Sequence, residues 1–326
     1  MAYTLILLVA LAICVCIGLD RHSENISTGG VFSLNYTNCL RGIAIILIMT
    51  GHISGTMGTV AFTPFGGIGV SLFLFLSGFG LNESWKKSGL TRYWQKKIRR
   101  VFIPYFIVIS IIAMVKDNMS WQNYLLDIFG IKTSYWYIGY LFKWYIVFWL
   151  STKFAFKYRL MIMSACALVS LFYLPNLEAE QSLSFIMGVV TSVYVERLSR
   201  LTNKQIIRLG IISFVIATVF LGIKQMPEIR VHINDWIYNI IQLFIKLPYA
   251  LSVMSFVWLI PIIHKSRFLL FTGAISYELY LVHFPFYGMV NGSLAYAVIL
   301  IIASYLVAKL FSLLNARISK IQINRV

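Results

Sequence analysis

Residues 41–52 read RGIAIILIMTGH, an apolar run that begins with an arginine and ends with a histidine. The ten residues between them carry no charge. Such a run suits a helix that crosses a membrane, where an ionisable side chain costs free energy and indicates a function by default. Two questions follow: whether the whole chain lies in a membrane, and what Arg41 and His52 do there.

The composition predicts a membrane protein with many helical spans. Of the 326 residues, 59% are hydrophobic and 12% are charged, whereas soluble domains carry about 25% charged residues. Runs such as VILIIASYLVA (298–308) do not alternate as the strands of a membrane barrel do. We predict an all-α bundle of about ten to eleven transmembrane helices. The predicted spans are roughly 2–19, 40–58, 66–82, 101–115, 136–151, 160–175, 182–196, 207–223, 238–263, 268–290 and 293–314.

The formal net charge of +17 could suit a protein that binds nucleic acid. The arrangement of the charge favours topology instead. If residues 83–100 are cytoplasmic, most of the lysines and arginines fall on the cytoplasmic side of the alternating spans, as the positive-inside rule requires. We therefore predict a multi-pass protein of the inner (plasma) membrane, in contact with the lipid bilayer and without a nucleic-acid partner. The four cysteines have no metal-binding spacing, so we expect no metal site.

Arg41 and His52 lie on one side of their predicted helix. Eleven residues correspond to about three turns plus 20°, which sets the two side chains on one stripe about 16 Å apart along the axis. An arginine that snorkels to the membrane surface and a histidine that bonds a neighbouring helix are the structural alternatives. The shared stripe favours a joint function, with Arg41 near the cytoplasmic end and His52 past the middle.

A second polar stripe occupies the predicted helix at 268–290. Its four members are one to three turns apart, which sets them on one face. They are Ser276, Tyr280, His283 and Tyr287. We expect this stripe to line the same internal cavity as His52; bonds between helices and an aromatic belt at the membrane surface are the alternative. Glu278 lies about 140° away from His283, so we expect it to pair with a basic group elsewhere, such as Arg41.

Four stretches, in this order, resemble the acyltransferase family 3 of integral-membrane proteins. They are NCLRGIAIILIMTGH (38–52), GGIGVSLFLFLSGFGL (66–81), KKIRRVFIPY (96–105) and ISYELYLVHFP (275–285). The first carries the family's arginine, ten residues and histidine. One departure is Lys97, where many members have arginine, and lysine lacks the planar fork that binds phosphate through two bonds. The resemblance assigns 36–326 to the family's membrane domain and leaves 1–35 as an additional helix and polar loop.

The resemblance implies transfer of an acyl group, usually acetyl, from acyl-CoA to a hydroxyl of a carbohydrate acceptor. Acyl-CoA is then the donor substrate, and no tightly bound cofactor is expected. Lys97, Arg99 and Arg100 form a basic cluster that suits the donor's phosphates, although lipid headgroups explain it equally well. Arg41 would mark the cytoplasmic entrance of a donor channel, and His52 the end where the thioester lies.

The sequence leaves two roles open for His52. It could remove the proton from the acceptor hydroxyl as a general base, or it could itself carry the acyl group as a covalent intermediate. Other side chains are candidates for the cavity wall or the acceptor side. Ser77 would offer a hydroxyl, the aromatic pair Trp136 and Tyr137 would stack on a sugar or anchor the helix at the interface, and Lys143 would line the cavity or form an ion pair.

Two other classes of protein fit the composition. A polytopic exporter of a polysaccharide or small anion would use His52 and His283 as proton-relay groups. Secondary transporters often contain inverted repeats, and the sequence has no visible repeat. A catalytically idle partner in a glycan-synthesis complex would have no need of intact Arg41 and His52. The leading prediction is therefore a membrane O-acyltransferase.

Overall fold

The computed structural model describes residues 2–19, 32–115, 120–131, 133–233 and 235–323. These residues form helices joined by short turns, and the only β pairing among them is an isolated bridge between Leu19 and Ser266. The α-helices are α1 (Ala2–Ile17), α2 (Leu34–Thr56), α3 (Pro64–Ser88), α4 (Tyr93–Lys97), α5 (Ile103–Val115), α6 (Trp121–Ile128), α7 (Trp136–Phe154), α8 (Arg159–Tyr173), α9 (Asn176–Ala179), α10 (Ser184–Val193), α11 (Val195–Leu198), α12 (Asn203–Ile223), α13 (Pro227–Arg230), α14 (Trp236–Leu259), α15 (Arg267–Ala274), α16 (Ser276–His283) and α17 (Leu294–Ile323).

The predicted all-α membrane bundle is confirmed. Within the described ranges, seven helical stretches are long and apolar enough to cross a membrane. They are Leu34–Thr56, Val60–Ser88, Tyr93–Val115, Phe156–Tyr173, Asn203–Ile223, Trp236–Leu259 and Leu294–Ala316.

The predicted count of ten to eleven spans is not confirmed. The span predicted at 182–196 divides into the short helices α10 and α11. The span predicted at 268–290 divides into α15, α16 and a 3-10 turn at Tyr287–Val290. Hydropathy alone does not detect such breaks, because it is averaged over a window of about 19 residues, which is longer than any of these helices.

Helix α2, which carries Arg41 and His52, lies against α3, α14, α15 and α16. Small residues allow the backbones to approach closely, as is common between membrane helices. A Cβ atom on Gly51 would lie 2.9 Å from the Cα of Gly66, so α2 and α3 cross at the residue next to His52. Backbone contact with α3 therefore fixes the position of the end of α2 that carries His52.

A charged segment folds into the bundle between α8 and α10. It includes α9, and Glu178, Glu180 and Gln181 are all buried. The Gln181 side chain donates a hydrogen bond of 2.9 Å to the carbonyl of Gly67 on α3. Glu180 forms an ion pair with Lys246 of α14, and both side chains are less than a tenth exposed.

We predict that Lys246→Met destabilises the protein by about 3 kcal/mol, because it leaves the buried Glu180 carboxylate without its partner. The value is at the low end for a broken buried pair, since Lys224 also interacts electrostatically with Glu180. Thermal unfolding in detergent measures the effect. Lys143→Met is the matched control: Lys143 pairs with Glu178 at 2.6 Å but is 48% exposed, so its loss should cost less. Equal losses in the two variants would contradict the prediction.

Candidate active site

Two histidines from different helices meet near one end of the bundle. His52 lies in the last turns of α2 and His283 is the last residue of α16. The Nδ1 atom of His52 lies 3.0 Å from Nε2 of His283, within hydrogen-bond distance. His283 is fully buried and His52 is partly exposed. The two histidines are thus in direct contact.

A backbone carbonyl sets the tautomer of this pair. Nδ1 of His283 lies 2.7 Å from the carbonyl oxygen of Leu279, and a carbonyl only accepts, so that nitrogen carries the proton. In the neutral ring Nε2 then has a free lone pair and accepts the hydrogen bond from Nδ1 of His52. This leaves Nε2 of His52 unprotonated, and it is the nitrogen free to take a proton or attack a carbonyl.

Aromatic rings hold His52 in place. The ring of Tyr287 lies 4.9 Å from it, centroid to centroid, at an interplanar angle of 27°. Phe284 contacts the same ring edge-on at 5.5 Å. Helix α16 is itself fixed by the hydroxyl of Tyr135, which donates to the carbonyl of Leu281 at 2.6 Å. His52 therefore has a set orientation and a largely apolar surround.

Arg41 lies in the other half of α2, about 16 Å from His52 along the axis. It donates one hydrogen bond of 2.9 Å to the Asn38 side chain. Across the described part of the chain, no carboxylate lies within ion-pair distance of it. Its electrostatic neighbours are Tyr137 and Tyr145, and both of these hydroxyls have Ser77 as a polar neighbour. Arg41 is thus a partly buried cation that has no anionic partner among the described residues.

Lys97 lies beside Tyr145, one of the two tyrosines near Arg41. Its Nζ atom lies 4.6 Å from the centre of the Tyr145 ring, a cation–π contact. Residues Ile98–Phe102 form a π-helical turn, a rare geometry that often occurs at functional sites. The three residues of the predicted basic cluster have different surroundings. Lys97 faces the bundle, whereas Arg99 is only partly buried and Arg100 is exposed.

A column of buried aromatic rings joins the two ends. The ring of Tyr280 lies 5.3 Å from that of Tyr137 and 6.0 Å from that of His283. Tyr137 in turn neighbours Arg41. We call Tyr137, Tyr280 and His283 the aromatic column. Ring contacts run along it from His283 to Tyr137, and Tyr137 interacts electrostatically with Arg41.

Several predicted residues lie elsewhere. Ser276 is buried and donates to the carbonyl of Gly273 at 2.9 Å, within its own chain segment. Glu278 accepts a bond of 3.2 Å from Asn315 of α17, so the predicted pairing of Glu278 with Arg41 is wrong. Trp136 is partly exposed beside the buried Tyr137.

Sequence reasoning missed Tyr145 and the Glu180–Lys246 pair. Lys246 carries a signal that could have indicated it: it is a lone lysine inside the apolar run WIYNIIQLFIKLPYALSV (236–253), and such a residue needs a partner. Tyr145 carries none, since it is one of several aromatic residues in α7 and its neighbours depend on tertiary packing.

Comparison with known proteins gives one match. The family model described as an acyltransferase domain matches residues 34–314. No curated protein and no solved structure matched the chain.

Proposed function

Because the chain belongs to the acyltransferase family 3, whose model covers most of its length, we propose that this membrane acyltransferase is an O-acyltransferase with acyl-CoA as donor. The acyl group is acetyl, and the acceptor is a hydroxyl of a cell-surface glycan or its precursor. We infer the inner (plasma) membrane as its location, with the Arg41 end of α2 facing the cytoplasm, where acyl-CoA is found.

The observation that carries this proposal is the contact between His52 and His283. The free Nε2 of His52 removes the proton from the acceptor hydroxyl, whose oxygen attacks the thioester carbonyl carbon. The carbon–sulfur bond then breaks, and CoA leaves as the thiolate and recovers the proton from His52. While His52 is protonated, Nε2 of His283 continues to accept from its Nδ1 and stabilises the cation.

The donor's polar end has a matching partner in Arg41. A partly buried cation without a carboxylate is costly, and a phosphate of acyl-CoA would relieve that cost through charge-assisted hydrogen bonds. The extended pantetheine arm separates the thioester of acyl-CoA from its phosphates. The distance of about 16 Å between Arg41 and His52 suits such an arm.

Binding of acetyl-CoA to the detergent-purified protein, measured by calorimetry, tests the proposal. We predict that Arg41→Met weakens binding roughly ten- to a hundredfold, the usual value of a hydrogen bond to a charged group. Arg208→Met removes the same charge from an exposed side chain of α12 and should change binding by less than about threefold. His52→Ala should bind acetyl-CoA as the wild type does.

Two results would contradict the proposal in different ways. A folded wild type that fails to bind acetyl-CoA would remove the donor assignment. Equal losses in Arg41→Met and Arg208→Met would show that the overall basic charge, and not Arg41, attracts the donor.

A further inference from the structure

An apolar groove runs along one face of α17, with α16 and α5 as its other walls. Its volume is about 1160 Å³. The α17 side extends from Tyr296 to Leu314, about 27 Å at 1.5 Å per residue. This length is close to the hydrocarbon thickness of a bilayer, about 30 Å.

The groove and the His52 site share one segment of chain. Val282 and Pro285 on either side of His283 line the groove, while His283 itself contacts His52. Gly288 lines the groove directly after Tyr287, which stacks on the His52 ring. One short segment of chain, residues 282–288, therefore forms part of the groove and also contacts His52.

The polar lining of the groove is concentrated at one end. Asn291 and Tyr296 lie there, and an open hollow that includes Gly292 and Ser293 adjoins it. This is the end of α17 that follows Tyr287 in the chain. Farther along α17 the lining is aliphatic apart from Ser304 and Phe311. The ligand that fits has a polar head beside the histidine pair and a long hydrocarbon chain that leads away from it.

We propose that this groove binds the hydrocarbon anchor of the acyl acceptor, which is a saccharide carried on a lipid. This proposal rests on the proposed function and names the acceptor's chemical class. The head, held near Asn291 and Ser293, presents its hydroxyl to Nε2 of His52. The acyl chain of the donor suits the groove less well. The polar part of the donor is assigned to the Arg41 end of α2, whereas the polar lining of the groove follows Tyr287, which contacts His52 at the other end of α2.

Photo-crosslinking tests this inference. The probe is hexadecyl glucoside with a diazirine in its alkyl chain, added to the full-length protein in phosphatidylcholine nanodiscs, and labelled peptides are identified by mass spectrometry. We expect labels on α16 and α17 that excess unlabelled hexadecyl glucoside suppresses and that added phosphatidylcholine does not. Uniform labelling of all lipid-facing helices would overturn the proposal, as would suppression by palmitoyl-CoA alone, which would assign the groove to the donor's chain.

A pair of variants provides the matched control. Ala303→Trp fills the groove from α17, and should reduce labelling at least about tenfold. Ile302→Trp adds the same ring at the neighbouring residue, which is 56% exposed and is not part of the groove lining, and should leave labelling unchanged. Equal labelling of the two variants would overturn the proposal. Acetyl-CoA binding, measured on the same preparations, reports separately on the proposed function and should be unchanged in both variants.

Discussion

Replacement of His52 by alanine is expected to reduce acyl transfer by about 10³- to 10⁴-fold, the upper part of the range for loss of a general base. The physical reason is that Nε2 of His52 is unprotonated and takes no part in the hydrogen bond between the two histidines, and alanine provides no group to take the acceptor's proton. Release of CoA from acetyl-CoA, measured in proteoliposomes, reports the rate.

A second histidine serves as the control for this variant. His232→Ala removes a partly exposed histidine that bonds Asp235 in a turn between α13 and α14, away from the site, and should leave transfer unchanged. Acetyl-CoA binding to His52→Ala checks that the variant is folded. A folded His52→Ala protein with activity within tenfold of the wild type would contradict the assignment of His52.

Replacement of His283 by leucine is expected to reduce transfer by about 10²-fold or more. Leucine cannot accept a hydrogen bond from Nδ1 of His52, so the tautomer of His52 and the stabilisation of its protonated form are both lost. His283→Gln should retain activity within about tenfold of the wild type, because the amide oxygen can accept the same bond. Transfer rates of the two variants, with acetyl-CoA binding as a check on folding, give the comparison.

The contrast between leucine and glutamine separates positioning from packing. If His283 acted only by filling space, glutamine would be no better than leucine, since leucine suits a fully buried position at least as well. Equal activity of the two variants would therefore contradict the role proposed for His283.

The helical period alone predicted the stripe that carries Arg41 and His52. Both residues lie on one helix, and within one helix the spacing fixes the relative direction of side chains. The contact between His52 and His283 joins residues 231 positions apart. The stripe on each helix predicted that both histidines face one cavity, but the distance between them depends on how α16 packs on α2.

The error at Glu278 has a related cause. The Glu278 carboxylate was expected to pair with a basic group elsewhere, such as Arg41. In the structure Glu278 faces Asn315 of α17, and Arg41 faces Asn38 and two tyrosines. Which faces of two helices meet depends on packing, and the sequence pattern of a single helix does not contain it.

The break within the predicted span 268–290 also arises from packing. Gly273, near the end of α15, lies so close to α2 that a Cβ atom there would overlap the carbonyl oxygen of Asn38. The chain divides two residues later, and α16 then begins in the position that brings His283 to His52. The sequence there, TGAISYELYLVH (272–283), has no proline to mark the break.

The most direct test of the central claim is a single-turnover measurement with radiolabelled acetyl-CoA and the reconstituted protein. Membrane extracts that contain glycolipids supply the acceptor, and CoA release and labelled product are counted together. The account predicts one acetyl ester formed for each CoA released in the wild type, and neither above background in His52→Ala. A folded wild type that binds acetyl-CoA but releases no more CoA than His52→Ala would contradict it.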